Sequence, residues 1–304
     1  MQDKIKSVNY HYTRECNFNC GFCFHTQKTN FKLPIEKAIE GLRILKDYGV
    51  KKVNFAGGEP FIYPNYLGEL IKKCKEDLKI EKISIITNGS LVKKNFFEKY
   101  GKYIDVFGVS CDSFNKETNI KIGRGRRGDN VKKLFEIRNL CKKYNIKFKL
   151  NTVVCNLNKD ENMVENIKKL NPDRWKCFQV LMVRGENEDA TKLRDVRKFQ
   201  ITEEEFNNFV ERHKEIECLI PESNSTMKSS YLILDEEMRF LDKGDGEEFC
   251  SDSILEVGVE KALEKIKYNE EEFKKRKGDY LFEETNIPGC KNNPIQVEEA
   301  CLVF

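Results

Sequence analysis

The chain has 304 residues, enough for one large α/β domain or two small ones, and its 39% hydrophobic and 34% charged content reads as a globular protein with a heavily charged surface. Net charge is only +4, from 54 basic against 50 acidic residues, which gives no global case for a nucleic-acid or membrane binder; any preference for polyanions has to come from local clusters. The 12 cysteines are too scattered for a disulfide scaffold, and the sequence shows no signal peptide or bilayer-spanning apolar run, so the expected location is the reducing cytoplasm.

Residues 8–13 (VNYHYT) alternate apolar and polar and predict a first strand. A loop follows at once in which Cys16, Cys20 and Cys23 are spaced C-x3-C-x2-C. Pro34 stands where helices start, and Ile35, Ala38, Ile39, Leu42 and Leu45 recur at helical spacing until Gly49. A short strand is expected over 53–56, followed directly by Gly57-Gly58-Glu59-Pro60. Strands over 83–87, 106–110, 147–153 and 175–182 then alternate with helices over 66–78, 91–100, 131–144 and 161–170. That is about six βα-type units, which argues a parallel sheet with crossovers and is too few for a closed eight-unit barrel.

The pattern changes after Arg184. Residues 185–192 read as a loop, Thr202 and Glu205 form a capping box for a helix running to His213, and 218–221 is a short strand. Residues 231–235 and 238–241 look like a hairpin around Glu236-Glu237, and 257–266 and 270–277 like short helices. From 284 no periodicity remains and poor order is expected. The expected organisation is therefore 1–183, a C-terminal extension over 184–283, and a tail over 284–304. The last residues, Cys301-Leu302-Val303-Phe304, fit a C-a-a-X prenylation pattern, but no polybasic run precedes them and an ordinary tail is expected.

Three thiolates are one short of a closed zinc or iron–sulfur site, and they suit a [4Fe–4S] cluster with one open iron. The plain alternatives are a three-cysteine zinc site or unrelated buried thiols. Paired glycines at 57 and 58 let backbone approach a ligand closely, and Glu59 is able to accept an ammonium. Asn88 and Ser110 end the third and fourth strands, where plain turn residues are the competing reading. Residues 123–128 fit G-x-G-x-x-G, yet they follow a polar loop and lack the later acidic residue, so a dinucleotide site is rejected. Arg124 is expected just before a helix start, a position that attracts carboxylates and phosphates. Basic residues are expected at strand ends that face the barrel mouth: Lys52 flanks strand two, Lys149 lies in strand five with Asn151 beyond it, and Arg174 and Lys176 share one face of strand six. Cations facing a barrel interior repel one another unless an anion sits among them, and a triphosphate is the natural candidate; a lysine-lined exterior is the alternative.

The cysteine spacing, with GGEP one strand away, resembles the radical S-adenosylmethionine (SAM) enzymes, whose fold is an open (βα)6 partial barrel. Over about residues 8–283 the chain resembles the viperin family: CNFNCGFCFHTQKTNFKLP, VNFAGGEPF, SIITNGSL, FKLN, RWKCFQVL and, most specifically, the run ERHKEIECLIPESNSTMKSSYLILDEEMRFLD. The resemblance implies an α/β fold, a radical SAM partial barrel whose C-terminal extension covers the mouth. It implies an antiviral enzyme that converts a nucleoside triphosphate, CTP before UTP or GTP, into its 3′-deoxy-3′,4′-didehydro form. Cys16, Cys20 and Cys23 would hold the cluster. Gly57, Gly58, Glu59, Asn88, Ser110 and Arg124 would line the SAM site. Lys149, Arg174 and Lys176, with Lys52 nearby, would hold the triphosphate; Asn9 and Asn151 would contact ribose or cofactor, and Tyr231 would approach the ribose. Expected partners are the nucleotide, an electron donor and the iron–sulfur assembly machinery, with no nucleic acid, no membrane and a monomeric state. The family's N-terminal amphipathic helix, its endoplasmic reticulum anchor, and its terminal Trp are not matched here. The rivals are a peptide-modifying radical SAM enzyme, which needs further cysteine clusters, and a non-catalytic antiviral scaffold.

Overall fold

The structure is a computed structural model that describes residues 5–25, 28–128, 130–242 and 249–278; the 284–304 tail and its C-a-a-X end lie outside the described residues. Six strands expected from the alternation are present and parallel neighbours in chain order: β1 (Ser7–His11), β2 (Lys52–Ala56), β3 (Lys82–Thr87), β4 (Val106–Ser110), β5 (Lys147–Val154) and β6 (Arg174–Gln179). The chain beyond 184 extends this sheet at both edges. β7 (Leu219–Glu222) pairs parallel with β6, and β8 (Ile233–Leu234) pairs parallel with β1. β9 (Arg239–Leu241) turns back antiparallel on β8, with Leu234 opposite Phe240, as the hairpin around 236–237 requires. β10 (Cys250–Ser253) then pairs with β9, so the order is β10-β9-β8-β1-β2-β3-β4-β5-β6-β7. The sheet curls, because its two flanks meet: Tyr231, entering β8, donates to Glu222 at the end of β7 at 2.5 Å.

The connecting helices are α1 (Ile35–Tyr48), α2 (Pro64–Glu76), α3 (Lys94–Tyr100), α4 (Lys116–Ile122), α5 (Asn130–Lys143) and α6 (Val164–Leu170). Gly49 stops α1 in a left-handed conformation (φ 115°) that gives the last carbonyls of the helix, Leu45 and Lys46, a donor. The extension adds α7 (Glu203–Arg212), with the Thr202/Glu205 capping box in place, then α8 (Asn224–Ser230), α9 (Ile254–Glu264) and α10 (Glu270–Lys275). α4, α8 and β10 were not expected; the first is started by Asn115, whose side chain accepts from the N–H groups of Glu117 and Thr118.

The main core lies between helices and the outer sheet face. On β6, Trp175 and Cys177 face outward into it, Trp175 meeting Phe209 and His213 edge-on, while Arg174 and Lys176 face the lumen by alternation. Among the described residues no helix is long and apolar enough to cross a membrane.

Candidate active site

The cysteine loop leaves the C-terminal end of β1 and is held by backbone on both sides. Gly58 N–H donates to Thr13 O and Glu59 N–H to Glu15 O, each at 2.7 Å. A Cβ on Gly58 would stand 2.0 Å from Glu15 O, and one on Gly57 (φ +144°) 2.5 Å from Thr13 O. The close approach anticipated for a ligand is thus first an approach of the cysteine loop itself. Opposite, Asn19 N–H donates to Gly123 O at 3.0 Å and Gly21 N–H to Ile122 O at 2.9 Å, and a Cβ on Gly123 would lie 2.3 Å from Asn19 O. Beneath the loop, Phe22, Ile122, Cys155, Val180 and Val196 form a small separate core, with Phe22 edge-on to Phe199.

Cys16, Cys20 and Cys23 are half-buried free thiols on this wedged loop. Burial pushes Cys16 up to about 11 and Cys23 up to about 12, so each keeps its proton until a cation replaces the lost hydration, as iron does. Among the described residues no three His, Cys, Asp or Glu side chains converge on a single ion. A [4Fe–4S] cube asks for no such convergence, since each thiolate binds a different iron and three leave one iron open. The donor set fits that cluster.

Around the loop stand the residues expected at SAM. Glu59 is fully buried: Oε1 accepts from Thr87 Oγ1 at 2.6 Å and Phe61 N–H at 3.0 Å, and Oε2 from Asn88 N–H at 2.7 Å. Much of its acceptor capacity therefore secures the β2 and β3 loops. Asn88 Nδ2 donates to Asn17 Oδ1 in the cysteine loop at 2.9 Å, and Ser110 ends β4 facing Asn151. Arg124 does not precede a helix start: it follows Gly123, the left-handed cap of α4, and α5 begins only at Asn130. Its Nε pairs with buried Asp112, whose other oxygen accepts Val153 N–H at 3.0 Å, and its charge favours ionisation of all three cysteines.

The cations are gathered, but away from the mouth. Lys52 and Arg174 open β2 and β6, and Lys149 is the third residue of β5, so they occupy the N-terminal half of the lumen. Register puts Gly108, Lys149 and Arg174 in one row and Ser110, Asn151 and Lys176 in the next. Lys52, Lys149, Lys176, Asn9, Asn54, Tyr231 and Arg276 line a cavity of about 40 Å³ closed by Phe273 of α10 and by Lys277 and Gly278 after it. Burial, then Arg174 and Arg276, push Lys149 down to about 7, against the pull of Glu222. Burial and the charges of Lys149, Arg174 and Arg276 hold Lys52 well below the lysine range. Asn151 Oδ1 and Arg276 Nε are buried without hydrogen-bond partners among the described residues.

Arg276 and Glu222 belong to this site and were not anticipated. Arg276 stacks on Tyr231 (3.7 Å to the ring centroid) and donates to Ser230 O at 2.8 Å, while Arg174 donates to the carbonyls of Arg276 and Lys277 at 3.1 and 3.0 Å. Asn9, which lines the same cavity, is tied into the lumen, donating to Leu232 O at 3.1 Å and accepting from Asn54 at 2.5 Å.

A curled parallel sheet with a three-thiol loop over the strands' C-terminal ends defines a radical SAM enzyme, and the radical SAM superfamily profile matches residues 10–196. The SAM-bound crystal structure of SuiB from Streptococcus suis shares the fold, with a TM-score of 0.59 and 21% identity over 78% of this chain and 60% of that one. A rainbow trout (Oncorhynchus mykiss) protein named S-adenosylmethionine-dependent nucleotide dehydratase RSAD2 is 49% identical over 284 residues, 92% of this chain and 82% of the trout protein. A Flammeovirga pacifica protein named S-adenosylmethionine-dependent nucleotide dehydratase is 37% identical over 91% of this chain and 96% of its own length. The chain belongs to the SAM-dependent nucleotide dehydratases, the viperin family, and its cofactors are a [4Fe–4S] cluster and SAM.

Proposed function

We propose that the chain dehydrates CTP to its 3′-deoxy-3′,4′-didehydro analogue, with the triphosphate down the lumen and the ribose toward the cysteine loop. The observation that carries the reading is the set of cations lining one lumen cavity, Lys52, Lys149, Lys176, Arg276 and Lys277, with Arg174 beside them and Glu222 in contact with Lys176 and Arg276. Lysines held below their normal range by burial and one another gain most from a polyanion. Cytosine as the base rests on the family resemblance, in which Tyr231 matches CTP-using members.

Cys16, Cys20 and Cys23 would hold the cluster beside SAM, and together these would supply the radical chemistry that removes the ribose 4′ hydrogen; loss of the 3′-hydroxyl as water, with one electron and one proton taken up, would complete the dehydration. The chain's own residues supply placement. The cations would fix the phosphate end, Asn9 and Asn151 would bracket the ribose, and Tyr231 with Arg276 would close the lumen. A cavity of about 40 Å³ is well under the roughly 300 Å³ of a small ligand site, so binding requires movement of lysine side chains or of residues 273–278.

Anaerobic reconstitution with iron, sulfide, SAM and dithionite, followed by each of the four nucleoside triphosphates, tests this. The expected result is 5′-deoxyadenosine and a nucleotide lighter by one water with CTP above the others. Equal SAM cleavage with and without every nucleotide would refute it.

A further inference from the structure

Glu222 does not line the cavity, yet both of its oxygens reach groups that do. It is fully buried at the end of β7. Oε1 pairs with Lys176 Nζ and lies 3.9 Å from Arg276 Nη1, and Oε2 accepts the Tyr231 hydroxyl at 2.5 Å. Lys176 Nζ in turn donates to Tyr231 Oη at 3.0 Å. An ammonium has three donor hydrogens, so two are committed behind the cavity wall and one is left for the cavity. Tyr231's own proton is committed to Glu222, so its ring and oxygen are fixed in place.

We propose that Glu222 is a positioning residue for the nucleotide, holding the Lys176 ammonium and the Tyr231 phenol aimed into the lumen before substrate arrives. The proposal rests on the placement of the triphosphate among these cations. The groups facing Lys176 are Lys149 on β5, Arg174 on β6, Arg276 after α10, Tyr231 before β8 and Glu222 on β7. Burial, then Arg276, Arg174 and Lys149, press the ammonium toward losing its proton, and Glu222 opposes them. Reciprocally, Lys176 and Arg276 hold Glu222 below the usual carboxylate range although burial works the other way. Without the charge at 222, Lys176 is left among the described residues with the three cations Arg276, Arg174 and Lys149.

The test uses the reconstituted full chain as wild type, Glu222→Gln, Glu222→Asp and Lys176→Ala, with CTP kinetics from about pH 6.5 to about pH 8.5 and calorimetric CTP binding. Glu222→Gln is expected to raise KM about tenfold near pH 8, with kcat changed less, as loss of a hydrogen bond to a charged group allows. The ratio of variant to wild-type KM shrinks as pH falls, because a lysine held low regains its proton at lower pH, and Glu222→Asp recovers part of the loss. A ratio of one, or a raised ratio that is flat with pH, overturns the proposal. If Lys176→Ala also leaves KM unchanged, the triphosphate placement itself fails; if it alone raises KM, only the role of Glu222 falls. Should Glu222→Gln not fold, Glu222→Asp carries the test, and a wild-type KM for it at every pH is the overturning result.

Discussion

Raising the pH from about 7 to about 8 is expected to weaken nucleotide binding roughly fivefold through Lys149 alone. Burial, then Arg174 and Arg276, lower this lysine from 10.5 to about 7. About half of it is therefore charged near pH 7 and about one tenth near pH 8. A bound triphosphate favours the ammonium, so the complex holds more protons than the free protein. Affinity is then full below the lowered value and falls as pH rises through it. Lys52 and Lys176 are displaced in the same direction, so the observed slope is at least this steep. Lys149→Arg keeps its charge throughout and removes about fivefold of the dependence. Calorimetry of the reconstituted full chain with CTP, in two buffers of different ionisation enthalpy, reads both affinity and proton uptake; about half a proton per nucleotide is expected near pH 7 from this group. A Kd independent of pH, with heats independent of buffer, would refute the reasoning.

Lys176→Ala is expected to raise the nucleotide KM at least about tenfold, as loss of a charged partner does, while SAM cleavage without nucleotide changes little; equal loss in both assays would count against the assignment. Gly58→Ala places a Cβ 2.0 Å from Glu15 O, so the purified protein is expected to hold less iron after reconstitution at unchanged expression; normal iron content would show that the loop seats without that close approach. Phe97→Ala empties a fully buried site against Phe107 (4.9 Å between rings) and is expected to cost about 3–5 kcal/mol in denaturant unfolding, with under about 1 kcal/mol marking a site that collapses freely.

The parallel frame was legible because each unit carries an apolar strand or an amphipathic helix, and the cysteine spacing and GGEP marked the mouth. α4 and α8 were not: seven residues each, with Asn119 and Ile122 or Met227 and Ser230 as their buried members, give no helical stripe to read. That omission carried over to Arg124, which seemed to precede a helix when it follows one. Alternation put Arg174 and Lys176 on one face correctly, but a strand pattern says nothing about which end of the lumen a position occupies. Arg276 sits in a run of charges that reads as solvated surface; its spacing of three from Phe273, the buried residue of α10, was the available signal. Glu222 left none, because its partners come from β6, from the approach to β8 and from the end of α10, which only the closed sheet brings together.

The central claim is that the radical made over the cysteine loop is aimed at the ribose of a nucleotide whose triphosphate lies among the lumen cations. It is tested most directly with CTP deuterated at the ribose 4′ position, analysed by mass spectrometry of the 5′-deoxyadenosine formed. The account predicts one deuterium transferred into 5′-deoxyadenosine alongside a nucleotide product that has lost water. 5′-Deoxyadenosine formed without deuterium, or with no dehydrated nucleotide beside it, would contradict the account.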